Sequence, residues 1–467
     1  MSEARHGVRA VIVGAGPVGC LLAIELRRRN FEVEVYEKQT LAGATAVSSG
    51  RSFNLTLTLR GLSTLSGALR DRVYEVGSVL RQRTVHHRDG TLTHQPYGAG
   101  VEDHHLVSVP RAALQCVLLR EAMAAGATVR FGHTCVAANP RDAEAVFVTS
   151  DGVLHQASGD ILIGCDGANS TLRHEMSKSG ARMRIHQDYI PHGHVELTML
   201  PEAARALSQD RMHLWPRGDH FLQAQPKLDG TAATTLFMPV ANRDGELRFQ
   251  AFAERSAVRA HVDREYPDIA EALPRVEEEA WDTRPALLKV VHCAPLHHHR
   301  AVLVGDSAHT IVPFYGQGIN CSFEDAEVLC GLLDRYLARG ADLEGAVRAA
   351  VAEFSELRVP TSEAIAELSM ANLAELSAHI DDERFHLRKA VERRLQQRYP
   401  NSFTQLYQLV AFTRIRYDEI VRRHTEERQV LDQLFEKYDP KTQADEIVES
   451  YPEFSRHLGS EAVASLR

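Results

Sequence analysis

The sequence predicts an α/β fold. Three observations carry this: an apolar run from Val8 to Val13, a glycine turn from Gly14 to Gly19, and a segment from Val18 to Arg29 whose apolar positions recur at helical spacing, followed by a second strand-like run, Glu32 to Glu37. Strand, turn, helix and strand in this order form a βαβ unit, and parallel strands joined by a helix belong to a sheet covered on both faces. From about Tyr189 to Pro239 the texture changes to short alternating stretches, such as His194 to Leu197, Met212 to Trp215 and Ala233 to Met238, broken by Pro and Gly. These predict a separate, largely antiparallel sheet. An apolar strand returns at Ala301 to Gly305, and beyond Gly318 long amphipathic runs, including Phe323 to Ala338 and Leu343 to Leu357, predict helix to the end. Charges in the last segment, such as Arg422, Arg423, Glu426 and Glu427, are read as solvated helix faces.

The chain has 467 residues, 53 Lys and Arg against 62 Asp and Glu, a net charge of −9, and 44% hydrophobic residues. This is the composition of a globular protein of two or three domains, not of a disordered or membrane-spanning one. Its mild acidity argues against a surface built to grip nucleic acid or anionic lipid. Seven cysteines with no C-x-x-C pair suggest neither a zinc cluster nor a disulfide scaffold, and are read as reduced, in a cytoplasm. Met1 to Gly7 lacks the apolar core of a secretory signal, and the last hundred residues hold no run of roughly 20 apolar residues, so no membrane anchor is expected. Oligomeric state is open.

Gly14-Ala15-Gly16-Pro17-Val18-Gly19 is a G-x-G-x-x-G placed between a predicted strand and a predicted helix, the context of a dinucleotide fingerprint. The first glycine permits the tight turn. The second lets a pyrophosphate approach N–H groups at the helix N-terminus, and the third lets helix and strand pack closely. Glu37 ends the second strand, eighteen residues after Gly19. A carboxylate there accepts hydrogen bonds from an adenosine ribose and repels a 2′-phosphate, so FAD or NAD(H) suits this site better than NADPH. Two further apolar strands end in acidic turns, Ile161 to Cys165-Asp166-Gly167 and Val302-Leu303-Val304-Gly305-Asp306. An Asp in that position can accept a ribityl hydroxyl, while a following helix offers N–H groups to a pyrophosphate or a flavin oxygen. His309, at the end of the last strand, is read as structural.

These three motifs, in this order over about three hundred residues, resemble the single-component flavoprotein aromatic hydroxylases of the p-hydroxybenzoate hydroxylase fold. The resemblance implies that Asp306 holds the flavin ribityl chain. It implies too that Asp166 belongs to a motif associated with FAD and NAD(P)H, and that Arg111 begins a helix contacting the flavin. It narrows to the kynurenine 3-monooxygenases through Gly50-Arg51-Ser52-Phe53-Asn54-Leu55, Leu214-Trp215-Pro216-Arg217-Gly218, Leu236-Phe237-Met238-Pro239, Pro313-Phe314-Tyr315-Gly316-Gln317-Gly318-Ile319-Asn320 and Phe412-Thr413-Arg414-Ile415-Arg416-Tyr417. The implied architecture is a Rossmann-like FAD-binding domain in two parts, 1–182 and 286–370, an inserted, mainly antiparallel substrate sheet, 183–285, and a C-terminal helical lid, 371–467.

The resemblance also places a substrate clamp on Arg83, Tyr97, Asn372 and Tyr407, with Phe237, Pro313 and Phe314 at the substrate and Gly318 and Asn320 at the cofactor. The chemistry agrees: an amino-acid head presents a carboxylate that an Arg takes through two parallel N–H bonds, and a Tyr adds another donor. The implied reaction uses NADPH to reduce FAD and O2 to form a C4a-hydroperoxide, which the ring carbon ortho to the aniline nitrogen of L-kynurenine attacks, giving 3-hydroxykynurenine. The amine supplies the nucleophilicity, so no protein base is assigned, and the protein positions and shields the flavin. The Pro313 to Gly318 loop is expected to aim N–H groups at the flavin O2 region.

Gln223 and Gln225 depart from the pattern, standing where the kynurenine enzymes usually carry aliphatic residues on a strand facing the substrate ring. Being two apart, they share a face. Either that face meets a ligand with extra polar groups or bound water, or the two amides face solvent or satisfy one another. Two other functions therefore stand beside kynurenine 3-hydroxylation: hydroxylation of a substituted tryptophan-derived aromatic, and flavin or NAD binding without monooxygenase activity.

Overall fold

The computed structural model describes residues 7–45, 54–98, 104–180, 182–243, 245–339, 342–378 and 383–456. Gly50 to Phe53 of the sequence motif above lie outside them. The apolar strands predicted at both ends of the chain meet in one sheet. Its order is His297–His298, Ala301–Leu303, Ile161–Gly164, Arg9–Val13, Glu32–Glu37 and Thr128–Phe131, parallel except for the two-residue edge strand. Ala10 to Val13, Ile161 to Ile163 and Ala301 to Leu303 are at most 3% exposed. Strands this apolar on both faces need cover on both. One face receives the helices Pro17–Arg28, Arg111–Ala124 and Gly318–Ala338. On the other side a three-stranded antiparallel sheet, His133–Asn139, Glu144–Thr149 and Leu154–Ser158, stacks Phe147 on Tyr36 with ring centroids 4.1 Å apart.

Parallel pairing has a consequence for the motifs. Val11 lies beside Leu162, and Ile163 beside Val302, so the glycine turn, the Cys165-Asp166 turn and the Gly305-Asp306 turn all emerge at the carboxyl edge of three adjacent strands. Segments three hundred residues apart thus share one crevice, where ligands of open α/β sheets bind.

The second sheet is larger than the insertion predicted. Among the described residues it runs Ala286–Ala294, Arg184–Leu197, Ala232–Arg243, Phe221–Pro226, Arg211–Pro216, Gln82–His86 and Leu92–Pro96, with Glu246–Phe249 paired to Ala232–Arg243. The hairpin 82–96 therefore joins it from before the insertion, and Ala286–Ala294 from after it. Its far face closes on a core that includes Trp215, Leu222, Leu236 and Phe249 under the helix Arg255–Glu265.

The helical run read as Leu343 to Leu357 is part of a longer helix that runs unbroken from Leu343 to Ala378, through Pro360. An interior proline costs about 3 kcal/mol through its missing N–H and ring clash. Burial of Ile365, Leu368, Val351 and Phe354 along the same helix offsets that cost. The expected lid boundary at 370/371 falls inside this helix, so the first lid residues ride on an element rooted against the FAD-motif sheet. Among the described residues no helix is long and apolar enough to cross a membrane.

Candidate active site

The glycine turn is built as the fingerprint requires. Gly14 has φ +100°, and a Cβ there would stand 2.4 Å from the carbonyl oxygen of Cys165; at Gly19 it would stand 2.1 Å from that of Gly14. At Gly16 a Cβ would meet no protein atom within 4 Å, and Gly16 lines the cavity. That empty cradle beside the first turn of Pro17–Arg28 fits a pyrophosphate. Glu37, buried beneath the turn, accepts from the backbone N–H of Ala15 at 2.8 Å and of Gln39 at 2.9 Å. Gln115 of the neighbouring helix holds the turn from behind, donating to the carbonyl of Ala15.

The cavity measures about 300 Å³ and runs from this turn to the antiparallel sheet. Of the residues expected at the site, Gly16, Arg111, Asp306 and Gly318 line it at the strand ends, and Arg83, Tyr97, Phe237, Pro313, Phe314, Asn372 and Tyr407 line its other part. Asp306 opens into the cavity, where desolvation raises its carboxyl above the ordinary value against the opposing pull of Arg111 and His309. A carboxylate there, an arginine across the cleft, the open glycine cradle and the N-terminus of the 21-residue helix Gly318–Ala338 together suit a dinucleotide with a polyol chain and an anionic pyrophosphate.

Besides Glu37, whose two oxygens are taken by backbone N–H groups and which does not line the cavity, two expected cofactor contacts are placed otherwise. The Asp166 carboxylate accepts from Thr171 N at 2.7 Å, Leu172 N at 3.1 Å and Ser307 Oγ at 3.0 Å, capping the helix Thr171–Lys178 and latching one acidic turn to the other. Its neighbours Cys165 and Gly167 form the cavity wall instead. Asn320 is fully buried. Its amide donates to Thr56 O and Gly316 O and its oxygen accepts from Thr58 N, so its side chain fastens the Pro313 loop to the strand Asn54–Leu57 without facing the cavity. Both residues order the walls from behind.

The clamp follows from hairpin register. Arg83 pairs with Gln95, which puts Tyr97, two residues on, on the same face. The Asp89-Gly90 pair between the strands is a turn signal that could have marked this hairpin in the sequence, where the clamp was placed by resemblance alone. Arg83 donates through Nε and Nη2 to Gln95 Oε1 at 3.0 and 2.6 Å, leaving Nη1 without a partner among the described residues. Tyr97 and Tyr315 stack on either side of Tyr407, at 5.7 and 5.6 Å. Burial pushes the Tyr407 phenol up to about 12 and raises that of Tyr97 too, so both are neutral donors near Arg83. Farther along, Phe221 and Phe237 stack at 4.7 Å, with Phe314 edge-on to both at 5.9 and 5.7 Å. Asn372 Nδ2 donates to the carbonyl of Phe314 at 2.7 Å. Met212, Leu214, Phe221 and Tyr315 were not singled out from the sequence, since nothing in an apolar or aromatic position of a strand or loop says which cavity it faces.

Gln223 and Gln225 face this cavity, not solvent, and do not bond to one another.

A buried charge cluster braces the site. Asp325 accepts from Gly305 N at 3.1 Å and pairs with His309 Nε2 and Arg358 Nε, each at 2.6 Å. Burial alone would raise its pKa, but His309 and Arg358 bring it down to about 2. His309 is thereby a structural partner, as read. Arg358 continues to Glu324, which pairs with Arg60; Arg60 donates to the carbonyl of Ile415 and lies 4.1 Å from the ring centroid of Tyr417. Tyr417 donates to Gln317 Oε1 at 2.9 Å. The motif Phe412 to Tyr417 thus locks the C-terminal helices to the Pro313–Gly318 loop.

Comparison with known proteins agrees with this geometry. The family described as FAD binding domain matches residues 7–353. Curated relatives named kynurenine 3-monooxygenase include those of Christiangramia forsetii, 33% identical over 91% of this chain and 93% of its own length, and Sus scrofa, 33% identical over 90% and 87%. That of Stenotrophomonas maltophilia is 34% identical over 91% and 92%. Among solved structures, a tetrameric 2-methyl-3-hydroxypyridine-5-carboxylic acid oxygenase aligns with a TM-score of 0.63 at 19% identity, covering 80% of this chain and 94% of the other. Klebsiella pneumoniae HpxO, complexed with FAD and uric acid, aligns with a TM-score of 0.62 at 21% identity, covering 84% and 94%. The glycine cradle, the aligned acidic turns and relatives matched along nine-tenths of the sequence lead to one assignment: the chain belongs to the kynurenine 3-monooxygenase family and is an FAD-dependent aromatic monooxygenase.

Proposed function

We propose that the protein hydroxylates L-kynurenine at ring position 3, consuming NADPH and O2 and releasing 3-hydroxykynurenine. One observation carries this reading: a single cavity joins the cofactor motifs to Arg83, Tyr97 and Tyr407 through a wall of phenylalanines. Bound FAD supplies the reduction by NADPH and the activation of oxygen. Gly16, Asp306, Arg111 and the N-terminus at Gly318 hold it; the helix N-terminus favours negative charge developing on the flavin ring.

Arg83 takes the substrate carboxylate, with its free Nη1 edge turned to the ligand and the Tyr97 and Tyr407 hydroxyls as further donors. Phe221, Phe237 and Phe314 hold the aromatic ring edge and face, and Pro313 and Phe314 close the cavity against water. The ring amine makes its ortho carbon nucleophilic, so the chain needs no base at that atom. All seven cysteines are free thiols, in keeping with a reducing cytoplasm as the working compartment. The test is NADPH oxidation by the purified flavoprotein with and without L-kynurenine, with the product identified by mass spectrometry. Stimulation with a hydroxylated product is expected, and no response to L-kynurenine overturns the assignment of substrate.

A further inference from the structure

The cavity wall formed by the antiparallel sheet is graded by register. Arg83 and Met212 pair at one level, Leu214 and Gln223 at the next, and Phe221 and Phe237 beyond. Gln225, on the strand of Gln223, faces the same cavity and is 3% exposed. Its Oε1 accepts from Ser108 Oγ, which accepts in turn from Asn54 Nδ2 at 2.9 Å. This relay fixes the Gln225 amide with its oxygen engaged and its N–H groups turned loose. Among the described residues, neither those N–H groups nor any atom of the Gln223 amide has a hydrogen-bond partner. Asn54, 4% exposed and lining the same cavity, leaves its Oδ1 buried and unpartnered.

Gln223 and Gln225 present unpartnered amide groups on the same cavity wall as Arg83, and a ligand that displaces water there must meet them, since each polar group buried without a partner costs about 1–3 kcal/mol. The amino-acid head does not meet them, because Arg83 and the tyrosines provide for it. A plain aminophenyl ring offers them little, because its amine and the adjacent ketone bond to each other. A ring hydroxyl answers the pair: its oxygen accepts from Gln225 Nε2, and its hydrogen donates to Gln223 Oε1. We propose that Gln223 and Gln225, the latter held by Ser108 and Asn54, form a polar subsite that selects a kynurenine-type substrate already carrying a hydroxyl on its aromatic ring. This rests on the proposed function above, in which the same cavity holds a kynurenine by its head.

The test compares kcat/KM of the holoenzyme for L-kynurenine, its 4-, 5- and 6-hydroxy derivatives, and the methyl analogue of whichever hydroxy isomer is best, following hydroxylated product as well as NADPH. The expected result is one hydroxy isomer at least tenfold better than both L-kynurenine and its methyl analogue. In Gln223→Leu and Gln225→Leu that preference should shrink at least tenfold while kcat/KM for L-kynurenine rises. Gln223→Met and Gln225→Met serve as second variants, with flavin content and thermal midpoint confirming the fold. L-Kynurenine outperforming every hydroxy isomer, or a preference unchanged in the variants, overturns the subsite and leaves kynurenine hydroxylation standing. No turnover of L-kynurenine with turnover of a hydroxy isomer overturns the substrate proposed above and keeps the subsite, while turnover of none of these compounds fails both.

Discussion

Asn372 Nδ2 donates to the carbonyl oxygen of Phe314 at 2.7 Å, joining the helix Leu343–Ala378 to the loop that carries Pro313 and Phe314 over the cavity. A single bond of this kind contributes about 0.5–1.5 kcal/mol. Asn372→Ala should therefore raise KM about 2- to 10-fold and lower the hydroxylated product formed per NADPH, because a loosened Phe314 no longer excludes water. Steady-state kinetics with parallel product counting checks this. A normal KM with full coupling would show that the tie does not matter to the site.

Arg83→Ala removes, among the described residues, the one guanidinium that faces the cavity from the substrate sheet. Loss of a charge-assisted, bidentate contact should raise KM by the equivalent of about 2–4 kcal/mol, while flavin content stays normal. An unchanged KM would remove Arg83 from the substrate site. Arg83→Lys should recover only part of the loss, since a point charge lacks the planar fork.

The three glycines of the fingerprint should separate. Gly16→Ala adds a methyl group that meets no protein atom, so the apoprotein should melt at the wild-type temperature but bind FAD more weakly. Gly14→Ala drives its Cβ against the carbonyl of Cys165 at a positive φ, and should destabilise the fold before any effect on the cofactor is read. Calorimetry of the apoproteins, with flavin fluorescence titration, tells the two apart. Equal FAD affinity in Gly16→Ala would mean the pyrophosphate does not lie on that cradle.

Glu427 was read from the sequence as part of a solvated charged face. The structure packs it near Glu392, and burial followed by that neighbouring charge pushes its carboxyl up to about 8. The folded state then holds a proton that the unfolded chain, with an ordinary Glu, has released above about 4.5. Stability from this group is present below that value and is lost as pH rises toward 8. Thermal midpoints measured from pH 5 to pH 9 should fall for the wild type, and Glu427→Gln should flatten the decline. Parallel profiles would show that Glu427 ionises normally.

The α/β class, the dinucleotide turn, the two acidic strand ends and the helical C-terminus were legible in the sequence because each rests on local physics. Periodicity reports burial, glycine reports a turn, and an apolar run ending in Gly-Asp reports a strand leaving a sheet. Even the placement of Arg83 and Tyr97 on one face was encoded locally, in a hairpin with an Asp-Gly turn. The continuation of the helix past Pro360 was not, since local propensity stops a helix there and only the burial of the apolar side chains along it outweighs the missing N–H.

Which chemical groups this protein owns is written in its chain: the cradle, the acids, the clamp and two unexpected glutamines. Where they point depends on how distant segments pack. Asp166 and Asn320 sit in motifs that signal a cofactor, yet their side chains bond to backbone groups and brace the walls. Gln223 and Gln225 had two possible faces, and a one-residue shift of strand register exchanges them. The pairing of Leu214 with Gln223 and of Phe221 with Phe237 turned them inward. Register is a cooperative property of the whole sheet, set by the total apolar surface it buries, and no single strand can announce it.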